Sequence, residues 1–193
     1  NAKALYDWAE IGTPVWIQWS NNPILDDDGN FIEMLSVGIN ITARKKAEQS
    51  LRESENRYRS LFEFANDAIL ICDQEGTCIA CNQMAVSLTG GSRSQLIGKP
   101  FAGLAPEAQP DGVNSRNKAG AIIDRALAGS LREFEWQLRR FDGGLRDVRS
   151  KVNSFEANGR RYLQVVMTDI TRQKRMEIEL RQAQKMEGIG TLA

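Results

Sequence analysis

Polar and apolar residues alternate most regularly in the second half of the chain. From Leu131 to Phe141, Phe134, Trp136 and Leu138 alternate with Glu133, Glu135 and Gln137. From Leu145 to Phe155, Val148, Ser150 and Val152 alternate with Arg149 and Lys151. A period of two predicts strands with one buried face. Asp142-Gly143-Gly144 and Glu156-Ala157-Asn158-Gly159 turn the chain between strands, and Arg161 to Asp169 predicts a third. Further upstream, Asp67 to Asp73 and Thr77 to Cys81 predict a hairpin around Gln74-Glu75-Gly76. Between the hairpin and the three strands the pattern becomes helical. Asn82 is placed to cap a short helix ending at Gly90-Gly91, and Ser92-Arg93-Ser94-Gln95 is a capping box for a second that stops at Gly98, before Pro100. Residues 103–112 read as a loop, and Ser115 to Leu127 carries Ala119, Ile122, Ile123 and Ala126 at helical spacing. Two strands, short helices and three strands predict an α+β fold with an antiparallel sheet.

Residues 13–42 read as two strands. Val15 to Ser20 is aromatic and partly alternating, Asp26-Asp27-Asp28-Gly29-Asn30 turns, and Phe31 to Ile41 returns. The three aspartates lack the spaced acids and closing Glu of a calcium loop, so a hairpin turn is expected. Residues 43–64 predict one helix, ~33 Å long at 1.5 Å per residue, joining two modules. Ala47, Leu51, Ser54, Tyr58 and Leu61 form a heptad seam, and Glu48–Arg52, Glu53–Arg57 and Glu55–Arg59 are expected ion pairs at i,i+4.

A repeat organises these elements. Asn40-Ile41-Thr42 and Asp169-Ile170-Thr171 each close an apolar stretch and lead into a charged helix. Lys45, Glu48, Leu51 and Arg52 match Lys174, Glu177, Leu180 and Arg181 at the same offset. The seam after Thr171 continues through Met176, Leu180 and Ala183, then slips: Glu187 and Gly190 take the next seam offsets while Met186, Ile189 and Ala193 are the apolar residues. Two modules leaving through the same kind of helix suggest relay. Asp169 and Thr171, like Asn40 and Thr42, are expected to cap the helix N-termini, with Asn40 lacking the charge of Asp169.

Net charge is zero, which gives no sign of nucleic-acid binding. Local balance is uneven: residues 1–42 carry the acids Asp7, Glu10, Asp26, Asp27, Asp28 and Glu33 against the base Lys3, whereas 43–60 are rich in Arg and Lys. The basic stretch is interleaved with Glu and reads as a solvated helix face. No apolar run reaches the ~20 residues of a membrane span. Three cysteines in one segment, Cys72, Cys78 and Cys81, suit a reducing compartment better than a disulfide framework. Cys78-Ile79-Ala80-Cys81 is formally a CxxC, but on a regular strand its thiols face opposite sides, so buried packing is expected rather than metal or redox chemistry. With no histidine and no catalytic carboxylate spacing, the fragment has no enzyme signature.

The strand order, Asn82, the Leu96-Ile97-Gly98-Lys99-Pro100 step, Phe134-Glu135-Trp136 with the Asp142-Gly143 turn, and Asp169-Ile170-Thr171 together resemble the PAS family of sensory domains. The resemblance implies a PAS fold: a five-stranded antiparallel sheet flanked by short helices, with long N- and C-terminal signalling helices. It assigns 55–171 to a complete domain, 1–42 to the closing strands of an incomplete upstream one, 43–64 to a linker helix and 172–193 to an outgoing signalling helix. Leu180 to Ala193 is similar to the lead-in of a sensor histidine kinase's dimerisation and phosphoacceptor helix, truncated before the His. The implied role is sensing and dimerisation within a cytoplasmic sensor kinase, as a parallel homodimer adjoining PAS and kinase domains. The alternatives are a ligand-free spacer, or another output such as a cyclic-dinucleotide enzyme or a chemoreceptor. The implied ligand-pocket residues are Cys81, Asn82, Phe101, Phe134, Trp136, Leu138, Val152 and Val166; the signal junction is Asp169, Thr171, Asn40 and Thr42. The cofactor is left open. The absence of His and of an Asn-Cys-Arg motif argues against the family's His-ligated haem and covalent flavin, whereas a small molecule or non-covalent flavin would fit beside Trp136. The alternative for Trp136 is plain core filling.

Overall fold

In the computed structural model, residues 5–6, 14–129 and 132–190 are described, with 5–6, 132 and 186–190 by backbone alone. The sequence-based expectations at residues 1–4, 7–13, 130, 131 and 191–193 lie outside the described residues, as do the side chains of Met186, Glu187 and Ile189. The chain divides into two compact units, 1–59 and 60–193.

In the first unit, β1 (Leu5–Tyr6), β2 (Val15–Leu25) and β3 (Phe31–Asn40) form an antiparallel sheet. The turn is fastened by Asp26, whose carboxylate accepts from the Asp28 and Asn30 amides and the Asn30 side chain. That is an Asx-type hairpin turn, as its composition predicts. β3 leaves Phe31, Ile32, Leu35 and Ile39 more than half exposed. Helix α1 (Thr42–Glu63) follows. Glu48 pairs backward with Arg44 at 2.8 Å and Lys45 at 3.0 Å rather than forward with Arg52 as expected, and Glu53 accepts from Gln49. Exposed pairs of this kind differ by only a few tenths of a kcal/mol, so side-chain reach decides between partners.

In the second unit, β4 (Ala68–Cys72) and β5 (Cys78–Cys81) form the hairpin; α2 (Gln83–Thr89), α3 (Arg93–Leu96), a 3-10 turn (Phe101–Leu104) and α4 (Ser115–Leu127) follow. Then come β6 (Arg132–Arg139), β7 (Leu145–Ala157), β8 (Arg160–Asp169) and α5 (Thr171–Gly190). The five strands make one antiparallel sheet in the order β5-β4-β8-β7-β6. The chain's first and last strands of this unit are thereby neighbours at the centre, and the helical stretch covers one face.

Alternation sets that face. Leu70, Val148, Val152, Leu163, Val165 and Leu138 point inward against Leu96, Phe101, Ala119 and Ile122 of the helical layer. Each fully buried aliphatic side chain contributes roughly 1.5–3 kcal/mol. Asn82 rivets the two layers: its Oδ1 accepts from Ile69 and Ala85 amides and its Nδ2 donates to the Asp67 carbonyl, each at 2.9 Å. One buried carboxamide thus caps α2 and closes the β4–β5 corner. The Ser92–Gln95 capping box forms as its sequence predicts.

The structure corrects two expectations about which side chains this sheet turns inward. Val166 faces away from the core, because the inward set of β8 is Leu163, Val165 and Met167. The run Leu163-Gln164-Val165-Val166-Met167 holds adjacent valines, so period two alone does not fix its phase. Cys78 and Cys81 do not face opposite sides. Cys81 pairs with Leu70, Ala80 with Ile71 and Cys78 with Cys72, so a bulge at Ile79 resets the alternation and turns both thiols inward.

Candidate functional site: the sheet–helix junction

The residues of the repeat form the same hydrogen-bonded socket twice. At the second, the Ile170 amide donates to the Asp147 carbonyl at 2.9 Å, and the Asp147 amide donates to Thr171 Oγ1 at 3.0 Å. The Thr171 amide donates to Asp169 Oδ1 at 2.8 Å, and the Lys174 amide to the Ile170 carbonyl at 2.9 Å. At the first, Ile41 donates to the Trp16 carbonyl at 2.8 Å and Trp16 to Thr42 Oγ1 at 2.8 Å; Thr42 donates to Asn40 Oδ1 at 2.9 Å and Lys45 to the Ile41 carbonyl at 2.9 Å. The last strand and the helix are thus stitched to the preceding strand at one point in each unit. Asp169 and Asn40 each accept the amide two residues on, an Asx turn immediately before the helix; the first intrahelical bond is accepted by the Ile170 and Ile41 carbonyls, so the expected capping by Asp169 and Asn40 is not what the structure shows. The threonines do not cap. Each is the first helical residue, and its hydroxyl reaches back to a strand amide.

The two sockets differ in charge. Arg146 lies 3.7 Å from Asp169, and Lys174 Nζ bridges Glu135 of β6 at 2.7 Å and Asp147 of β7 at 3.5 Å. The hydrogen bond to Glu135, with the nearby Asp147 charge, raises the Lys174 pKa above its ordinary value. In the first socket Lys45 turns instead to Glu48 of its own helix.

The predicted pocket residues fall into groups. Cys81, Asn82, Phe101, Trp136, Leu138 and Val152 are buried on the inner face, and Phe134 is half-buried against it. Trp136 meets Phe101 at 6.1 Å and Phe134 at 6.0 Å between ring centroids, the latter edge-on. Asn82 engages backbone, and Val166 lies on the opposite face. A cleft of about 300 Å³ at edge strand β6 is lined by Phe134 and Trp136 together with Glu135, Asp147 and Lys174. It brings the aromatic cluster next to the second socket. The helix-seam residues Leu51, Tyr58, Met176 and Leu180 are more than half exposed.

Two contributors were not foreseen. Gln109 is buried at 3% exposure, and its carboxamide mimics a paired strand: Oε1 accepts from the Gln137 amide at 2.7 Å and Nε2 donates to the Gln137 carbonyl at 3.2 Å. It closes part of the β6 edge. Its only sequence signal is a glutamine between Pro106 and Pro110. Glu63, at the end of α1, receives Arg93 Nη2 on both oxygens at 2.9 Å and the Gln83 amide at 3.0 Å, while Arg93 Nη1 donates to the Cys81 carbonyl at 2.5 Å. The last turn of α1, which belongs to this unit, is thereby tied to α2 and α3.

The family model for the PAS fold matches residues 56–170, more than half of the chain. The chain belongs to the PAS family. Among its relatives, sporulation kinase E of Bacillus subtilis is 26% identical over 78% of this chain. The methyl sulfide methyltransferase-associated sensor of Methanosarcina acetivorans is 24% identical over 74% of it. The chain spans only 19% and 13% of the length of those two proteins. The PAS domain of an HTR-like protein from Haloarcula marismortui superposes with a TM-score of 0.53 at 25% identity, covering 65% of this chain and 99% of that domain. Relatives of this PAS domain therefore include one protein named as a kinase and one named as a sensor, and the five-stranded α+β architecture is the family's. No helix of the described residues is long and apolar enough to cross a membrane.

Proposed function

We propose that this chain is a sensing and dimerisation module of a cytoplasmic two-component histidine kinase, and that the kinase, not this fragment, is the enzyme. A ligand or partner that alters the cleft beside Trp136 shifts β6 and β7, and the shift passes to α5 through Thr171, Asp169 and Lys174. The observation that carries this reading is the socket itself, where the outgoing helix is bound to the sheet by both backbone and charge. A parallel homodimer, paired along Ala47, Leu51 and Tyr58 and along Met176, Leu180 and Ala183, would carry the shift onward to the phosphoacceptor helices. Residues 1–42 act as the closing strands of an upstream PAS-like domain, a reading supported by their matching socket and by the apolar side chains that β3 leaves exposed.

The test is replacement of Asp169 and Thr171 by Ala in the full-length protein, with autophosphorylation measured with and without stimulus. Altered signal dependence is expected; unchanged regulation would remove the junction from the mechanism. The aromatic packing of Trp136 against Phe101 and Phe134 favours a second reading, a spacer whose core is filled by its own side chains. Native mass spectrometry and an absorbance scan separate the two, since a co-purifying small molecule is incompatible with the spacer.

A further inference from the structure

The bulge at Ile79 gathers three thiols where a regular strand would have separated them. Cys72, Cys78 and Cys81 are 0%, 2% and 0% exposed and carry no disulfide. The Cys78 thiol donates to the Ala80 carbonyl at 3.4 Å, and the other two thiols lie close enough to influence its acidity. Cys72 and Cys78 are also cross-strand partners at the turn of the β4–β5 hairpin.

The backbone around this pair suits a cross-link. The ladder bond from the Asp73 amide to the Thr77 carbonyl, 2.9 Å, flanks the pair, while the Cys78 amide donates to Lys99 and its carbonyl accepts from Gly98. That is the pattern of a non-hydrogen-bonded antiparallel pair, whose Cα atoms lie about 4.5 Å apart. A disulfide requires roughly 4.4–6.8 Å. The two thiols are also electronically unequal. The nearby Cys72 thiol holds Cys78 below the ordinary thiol range, and the same proximity, together with burial, pushes Cys72 up. Cys81, pushed up to about 11 mainly by burial, is the less reactive neighbour.

We propose that Cys72 and Cys78 are a peroxide-reactive pair that closes reversibly into an intrachain disulfide. The Cys78 thiolate attacks one oxygen of hydrogen peroxide; the O–O bond breaks, hydroxide leaves and takes up a proton, and Cys78 becomes a sulfenic acid. The Cys72 thiol then attacks the Cys78 sulfur, its proton passing to the departing hydroxide, so that the S–S bond forms, the S–O bond breaks and water leaves. Two thiols and one peroxide thus yield one disulfide and two waters. Burial selects the oxidant: opening of the turn at 73–77 admits a peroxide but not a bulky disulfide. The product would stiffen the β4–β5 corner, where the Cys81 carbonyl holds Arg93 and Arg93 holds Glu63 at the end of α1.

Peptide mapping tests the pair. The chain is treated with hydrogen peroxide, denatured, alkylated and cleaved after glutamate. Cleavage after Glu75 separates Cys72, in 64–75, from Cys78 and Cys81, in 76–107. The expected product joins 64–75 to 76–107, leaves Cys81 alkylated and is undone by dithiothreitol. Cys81→Ala is expected to retain the link, and Cys72→Ala and Cys78→Ala to abolish it. Alkylation of all three thiols after oxidation, a Cys78–Cys81 bond confined to 76–107, or a link between chains would each overturn the proposal. The unsubstituted chain decides the matter alone if a variant fails to fold.

Discussion

Thr171→Ala isolates the link between sheet and helix. The substitution preserves the Thr171 amide bond to Asp169 but removes the oxygen that accepts the Asp147 amide at 3.0 Å. That amide is partly buried, so its loss of a partner is expected to cost about 1 kcal/mol, the lower part of the ~1–3 kcal/mol range for an unsatisfied buried donor. For a domain of this size, that lowers the melting temperature by about 3–5 °C. Locally, the same free energy corresponds to roughly fivefold faster hydrogen exchange at Asp147. Thr171→Ser retains the hydroxyl and is expected to restore most of both quantities. Urea denaturation, with exchange followed residue by residue, reads the two effects separately. If Thr171→Ser loses as much as Thr171→Ala, or if exchange at Asp147 does not change, the hydroxyl does not bear the junction and the argument fails.

Asp169→Asn installs the residue found in the first socket; it keeps the bond to the Thr171 amide and loses the Arg146 pair, so chemical denaturation should register less than about 1 kcal/mol. Gln109→Leu strands the Gln137 amide and carbonyl at the β6 edge and is expected to cost about 2 kcal/mol by the same measurement. Gly76→Ala must hold a φ of +81° and place a Cβ 2.7 Å from Ile123 Cδ1, so a loss of at least about 1 kcal/mol is expected in a thermal melt. The Gly144 amide, helped by Arg140, holds the Asp142 carboxyl below its ordinary 3.8; this stabilisation is present above that value and lost as pH falls through the lower folded value, so the stability gap between wild type and Asp142→Asn should be full at pH 5 and close in stronger acid.

Much of the fold was legible because local signals and burial agree. The apolar spacing of Ala119, Ile122 and Ala126 matches the observed α4, and Ser92 and Gln95 cap α3 through side chains three positions apart. The parts that were not legible depend on contacts distant in sequence. Two adjacent valines left the phase of β8 open until Val165 was paired with Leu70 and Val152. The alternation of Cys78 and Cys81 was reset by a bulge that the partner strand imposes. Gln109 reads as an ordinary loop residue, because its partner at Gln137 is 28 positions away. The junction residues were visible as a repeat, but the direction of the threonine hydroxyls was not. A threonine beside a helix start suits either a helix amide or a strand amide, and only the position of β7 or β2 selects between them.

The twin sockets bear on how such chains are lengthened and shortened. Each is built almost wholly from main-chain atoms of the preceding strand plus one Asx oxygen and one threonine hydroxyl. Neither consults the identity of the helix it releases beyond its first turn. A crossover that cuts at Thr42 and rejoins at Thr171 would therefore excise a whole sensory unit while the surviving helix still starts on its proper turn. Insertion by the reverse exchange would keep the helix start in the same way, while changing the charge contacts at the socket. The motif is a splice point, at which units can be added or dropped without putting the helix downstream out of register.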